Sequence, residues 1–207
     1  MVLPDQMLHA SADCIVDGLI GSNLLNQFAA DFDFSGNTMT LCHPGGLTAA
    51  NANFLGFGGP GGTVVPLSVS PNEFYSVPVG MESGKVSRQA NLLVDTGSQT
   101  TEIPHQAAQD LALTPLGVLP QVGFTGGFTV EKAWLPVLVL GEMRVTDQLV
   151  TYGFKSDYTP RLGMDILSGY KVLMDFPGKK MYLQPIPAPK HNIVIGPSAP
   201  AAPTPVK

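Results

Sequence analysis

Along most of this chain apolar and polar residues alternate in short runs that Gly and Pro interrupt, the period of β-strands with one face turned inward. Residues 74–79 and 86–95 predict a hairpin folded around Glu82-Ser83-Gly84. Residues 122–140 predict a second, with Gly123-Phe124-Thr125-Gly126-Gly127-Phe128 at its tip, and residues 145–154 one more strand. Helical signals are brief. Ile103-Pro104 followed by residues 105–111 reads as a short helix with Pro in its first turn. Residues 43–72 are rich in Gly, Pro, Ala and Asn around Gly58-Gly59-Pro60-Gly61-Gly62 and read as a linker with a short strand over 63–69. Beyond Leu183 the chain turns to Pro and Ala, which predicts an extended, disordered tail.

The same local pattern occurs twice. Ile20-Gly21-Ser22-Asn23-Leu24-Leu25 matches Leu162-Gly163-Met164-Asp165-Ile166-Leu167 at an offset of 163 − 21 = 142. The offset holds without a gap: Phe28 falls on Tyr170, Asp33-Phe34 on Asp175-Phe176, Gly36 on Gly178, Met39 on Met181 and Leu41 on Leu183. Each copy reads as Gly, a short helix, a strand, a turn and a second strand, with Leu24, Leu25 and Phe28 expected to be buried like Ile166, Leu167 and Tyr170. Asp33 and Asp175 stand just before the turns and suit capping.

Composition narrows the possible functions. Hydrophobic residues make up 44% and charged residues 13% of 207, so a sizeable core forms and disorder throughout is excluded. Gly 23 and Pro 19 favour an all-β, turn-rich chain. A net charge of −5, with no Lys or Arg before Lys85, argues against nucleic acid or an anionic membrane as partner. No apolar stretch is long enough to span a bilayer, and the first residues lack a signal peptide's pattern. The compartment stays open, periplasmic or secreted if a signal lies upstream. Cys14 and Cys42 either pair or serve as small buried hydrophobes. His9, His43, His105 and His191 show no ligand spacing, so neither a metal nor another cofactor is expected.

The chemistry centres on Asn91-Leu92-Leu93-Val94-Asp95-Thr96-Gly97-Ser98, an apolar strand running into a small-residue turn that lifts one carboxylate from a hydrophobic wall. Turn chemistry alone accounts for Asp, Thr and Gly at a strand end. With its flanks, however, the segment resembles the active-site turn of aspartic proteases, pepsin-like and retropepsin-like. Val16-Asp17-Gly18-Leu19-Ile20-Gly21-Ser22-Asn23 and Pro160-Arg161-Leu162-Gly163-Met164-Asp165 resemble the segment that closes each lobe of that family, with Arg161 where an apolar residue is usual. The resemblance implies an all-β fold, a closed antiparallel barrel with one or two short helices. It implies Asp95 as one of two carboxylates that share a proton and activate water against a peptide bond. Thr96 would reach across to the facing turn, Gly97 would present its N–H to the carboxylate, and Ser98 would hydrogen-bond behind it. Phe124, Thr125, Gly126, Gly127 and Phe128 would form the mobile flap over a polypeptide substrate.

No second Asp-Thr-Gly or Asp-Ser-Gly occurs, so the other acid must come from a homodimer partner or an absent upstream lobe. The expected organisation is the end of a first lobe over 1–43, a linker over 44–72, a complete lobe over 73–185 and a tail over 186–207. The rival reading is a non-catalytic module that kept this fold for dimerisation or peptide binding. A β-barrel for small ligands explains strands and glycines but not the repeat.

Overall fold

The computed structural model describes residues 20–42, 52, 56–72, 74–123, 126–153 and 159–186. In chain order these form helix α1 (Ser22–Leu25) and strands β1 (Ala29–Asp33), β2 (Thr38–Cys42), β3 (Thr63–Pro66), β4 (Ser68–Val69), β5 (Tyr75–Ser83) and β6 (Val86–Val94). Helix α2 (His105–Asp110) follows, then β7 (Pro115–Gly123), β8 (Gly126–Leu140), β9 (Met143–Tyr152), β10 (Arg161–Leu162), helix α3 (Met164–Leu167), β11 (Tyr170–Asp175) and β12 (Lys180–Pro185). The described chain is thus mostly β-sheet with short helices, as its alternation implies.

The strands make two sheets. One has the order β2-β1-β11-β12-β3; the other runs β10-β6-β5-β8-β7, with β4 added to β5 and β9 to β8. The expected closed barrel is not formed among the described residues. Among the described residues, strands β9 and β10 are joined through Glu102, which makes isolated bridges to Thr151 and Arg161. The cause is local: β10 is two residues long, and Glu102 lies in an irregular run between β6 and α2, so no continuous ladder can close the gap.

Side chains alternate as the pleat requires. On β5, Val77, Val79 and Met81 point inward and are fully buried. On β8 the inward positions change parity between Leu135 and Leu138. Pro136 lies between them and has no N–H for the ladder, and Asp147 in the facing part of β9 has a positive φ of 52°. The long strand can therefore bend without losing register. These residues share one core with Leu162, Leu167, Met181 and Leu183.

The two repeat segments have matching backbones. Gly21 caps α1 with φ −96° and ψ 175°, and Gly163 caps α3 with φ −100° and ψ −177°. Asn37 and Lys179, one offset apart, both take the left-handed conformation, at φ 53° and 52°. Asp33 accepts the N–H groups of Ser35 and Gly36, while Asp175 accepts that of Gly178 at 3.0 Å. Both acids therefore cap turns. The hairpins meet in one sheet, where β1 pairs antiparallel with β11 and Asp31 faces Leu173, positions that are themselves 173 − 31 = 142 apart.

Burial departs from expectation. Ile166 and Leu167 are buried, but Leu24 is exposed and Leu25 half-buried; Phe28 and Tyr170 are both half-buried. The second segment is closed in by β3, which pairs with β12, and by residues 98–101 against the start of α3, whereas Leu25, Phe32 and Phe34 of the first reach the core only partly buried. Within the expected linker, β3 pairs with β12 and β4 with β5, so residues 63–69 belong to the sheets. Cys42 is a half-buried thiol. Cys14 and the proline-rich tail from 187 onward lie outside the described residues.

Candidate active site

Strand β6 delivers Asp95. Its last two residues pair in parallel with β10, Leu93 with Arg161 and Val94 with Leu162, and the N–H of Asp95 itself donates to the Leu162 carbonyl at 3.1 Å. The chain then turns, closed by the N–H of Ser98 donating to the Asp95 carbonyl at 3.2 Å. The Gly97 N–H donates to Asp95 Oδ1 at 2.9 Å. A Cβ on Gly97 would lie 3.2 Å from that oxygen, so the glycine leaves room for the approach. Asp95 is half-buried, and Thr96 and Gly97 are exposed at the tip.

Ser98 does not stand behind the carboxylate. Its hydroxyl donates to the Thr100 carbonyl at 2.9 Å, because Ser98 sits past the turn, where the irregular segment has main-chain carbonyls to satisfy.

The turn is braced from below by α3. The N–H groups of Met164 and Asp165, among those a helix start leaves unpaired, donate to the carbonyls of Ser98 (2.8 Å) and Gln99 (3.2 Å). The contact is so close that a Cβ on Gly163 would sit 2.5 Å from both the carbon and oxygen of the Thr100 carbonyl. Asp165 locks it: its carboxylate accepts the Thr101 N–H at 2.9 Å, the Thr101 hydroxyl at 2.6 Å and the Gln148 amide at 3.1 Å. Burial pushes the Asp165 pKa above the usual carboxylate value, against the opposing pull of the Thr101 hydrogen bonds.

Arg161 adds a feature the sequence marked only as a departure. Its Nη1 lies 2.9 Å from Asp95 Oδ2 and its Nε 2.8 Å from Glu102 Oε2. Glu102 is 2% exposed against 24% for the Asp95 side chain, so one guanidinium bridges a buried acid and an accessible one. No local signal announced Glu102, whose burial follows from its bridging position between β9 and β10. Asp165 was visible through the repeat but lacks the tripeptide expected of an active-site acid.

A hairpin does form around the expected tip, with Gly123 facing Gly126 and Gln121 facing Phe128, but its first strand, β7, begins at Pro115, before the expected 122. Phe124 and Thr125, at its tip, lie outside the described residues. Strand β7 reaches the acid turn through Gln121, whose amide donates to the Thr100 hydroxyl at 3.0 Å. Among the described residues no group of three or more His, Cys, Asp or Glu could hold a metal ion, and no helix is long and apolar enough to cross a membrane.

No protein-family model matches the chain, and no curated protein matches it. Among solved structures it is similar to a retropepsin-like aspartic protease from Rickettsia conorii, at 15% identity and a TM-score of 0.42, over 59% of this chain and 90% of that one.

Proposed function

We propose that residues 73–185 are a lobe of the aspartic protease type, that residues 1–43 are the closing part of another, and that the two arose by duplication. In this reading the chain is an aspartic-type endopeptidase lobe that supplies one of two catalytic carboxylates. The observation that carries it is Asp95 itself: an accessible acid directly after the apolar run Leu92-Leu93-Val94, held by the Gly97 N–H on a turn braced by α3. So much bracing under an exposed turn suits a carboxylate that must keep a fixed place.

Mechanistically, Asp95 would take a proton from a water held between it and a second acid, which would donate to the scissile carbonyl oxygen. Arg161 Nη1, 2.9 Å from Asp95 Oδ2, would help hold that carboxylate in place. The second acid would come from another lobe facing the turn, and Thr96, exposed at the tip, would meet it. The β7–β8 hairpin, tied to the turn through Gln121, would close over a polypeptide substrate.

The same ion pair favours a second reading, in which Asp95 is a structural anion for Arg161 and the domain binds without hydrolysis. Asp95→Asn separates them. In a preparation that cleaves peptides, catalysis predicts a loss of about 10³-fold or more with folding intact. Unchanged cleavage with lowered thermal stability supports the structural role. The chain as a monomer should be inactive, and activity of a dimer should fall on dilution.

A further inference from the structure

We propose that the cavity of about 260 Å³ where the β8–β9 turn comes down on β3 is a binding site for an alkylammonium group, the chemistry of a small organic amine or of a lysine side chain. Phe57, Tyr182, Val64 and Glu142 are among its walls, and glycine backbone forms much of the rest. It shares no residue with the Asp95 turn, so the inference stands apart from the proposed hydrolysis. Both sides of the cavity are held by the fold. On one, Gly141 takes a φ of 60°, and a Cβ there would collide with Thr63 Oγ1 and lie 2.9 Å from Val65 Cγ1, so glycine lets the turn reach β3. The Glu142 N–H then donates to Thr63 Oγ1 at 3.0 Å, which fixes that residue at the rim. On the other side, Gln184 clamps the run Gly58-Gly59-Pro60-Gly61-Gly62. Its Oε1 accepts the Gly59 N–H at 2.9 Å, and its Nε2 donates to the Pro60 carbonyl at 3.1 Å. A Cβ on Gly62 would lie 2.6 Å from that Oε1. Walls held this way need little ordering when a ligand enters.

The chemistry of the walls selects the ligand. Phe57 and Tyr182 are 3% and 7% exposed and meet edge to face, their ring centroids 6.2 Å apart. The Phe57 ring already takes one ammonium, with Lys171 Nζ 5.1 Å from its centroid. Aromatic rings attract cations through their faces and give apolar stems a surface to cover. Glu142 is the one charged residue among the described residues of the lining. Asp31, Glu82, Asp95, Glu102 and Asp110 each have a Lys or Arg nitrogen within 3.1 Å, whereas Glu142 has no ion pair among the described residues. An exposed carboxylate without a counter-ion, beside two rings and Val64, complements a cation on a short apolar stem. An anion would be repelled by Glu142, and a neutral apolar molecule would strip water from that carboxylate without replacing it. Lys171 does not oppose entry, since Asp31 matches its charge at 3.1 Å. The net charge of −5 adds attraction at longer range.

Amide NMR shifts of the nitrogen-labelled 207-residue chain test it. The probes are butylammonium, its neutral counterpart n-butanol, and a short peptide, blocked at both ends, that carries a single lysine. Butylammonium should shift the amides of Phe57, Gly58, Thr63 and Glu142 saturably, half complete at about 5 mM. The neutral n-butanol should bind at least about tenfold more weakly. Glu142→Gln, at an exposed position, should leave the thermal midpoint within about 2 °C and weaken butylammonium at least about fivefold. Saturation by the peptide assigns the site to a lysine side chain, and saturation by butylammonium alone assigns it to a free amine. Shifts that stay linear to about 100 mM with both cations overturn the proposal, as do equal binding of n-butanol and unchanged affinity in Glu142→Gln.

Discussion

Gly21 and Gly163 hold nearly the same dihedral angles, yet they live in different surroundings. A Cβ on Gly163 would meet the Thr100 backbone at 2.5 Å, whereas one on Gly21 would meet only the side-chain oxygen of Asn23 at 3.0 Å. The same contrast runs through both segments. Leu24 is open where Ile166 is sealed, and Met39 is open where Met181 is sealed. Local backbone form, then, does not depend on being packed: the cap, the short helix and the turn closed by an Asp appear in both copies. Packing decides what each residue is worth.

The largest predicted difference lies in the strands. Leu183→Ala should cost about 3 kcal/mol in urea unfolding, because it opens a cavity in the shared core. Leu41→Ala should stay within about 0.5 kcal/mol. Equal costs for the two would break the comparison. At the caps, Gly163→Ala should cost about 2 kcal/mol, since backbone rather than a flexible side chain must move. Gly21→Ala should cost no more than a few tenths, as its Asn23 neighbour can swing away. In a preparation that cleaves peptides, Gly163→Ala should also lower the rate, because displacing Thr100 displaces the turn that holds Asp95.

Arg161 sharpens the contrast, since it stands beside the Asp95 turn and the residue one offset before it in the sequence is the uncharged Leu19. Arg161→Leu leaves Glu102 buried without its guanidinium and should cost about 1.5 kcal/mol at neutral pH, with Arg161 partly exposed to solvent. Adding Glu102→Gln should recover part of that loss, and a cycle of the four proteins measures the coupling. No recovery would mean that Glu102 is held by other contacts.

The smallest effect concerns Asp165, the counterpart of Asn23. Its folded pKa is raised above the ordinary 3.8 by burial, so the native state binds that proton more tightly than the unfolded chain. Stability from this group is therefore present in acid and lost as pH rises through the raised value. Relative to Asp165→Asn, the wild-type protein should gain stability as pH falls through that window toward 3.8. A stability difference independent of pH across it would show that the Thr101 hydrogen bonds offset burial.

Much of this was legible in the residues. Alternation located β5, β6, β8 and β9, the gapless offset located both helix-and-hairpin units, and the apolar run into Asp95 located the turn. These are properties of neighbouring residues: pleat, glycine conformation and short-range capping act over a few positions and leave a pattern there. Other features depended on residues distant in sequence. Whether the second sheet closes turned on two bridges from Glu102. Arg161 reaching both Asp95 and Glu102, and Asp165 locking Thr101, each required segments some sixty residues apart to meet. The exposure of Leu24 and Met39 is the plainest case. Their sequence context matches that of buried residues, and what separates them is the presence of a neighbouring sheet, which no local pattern encodes.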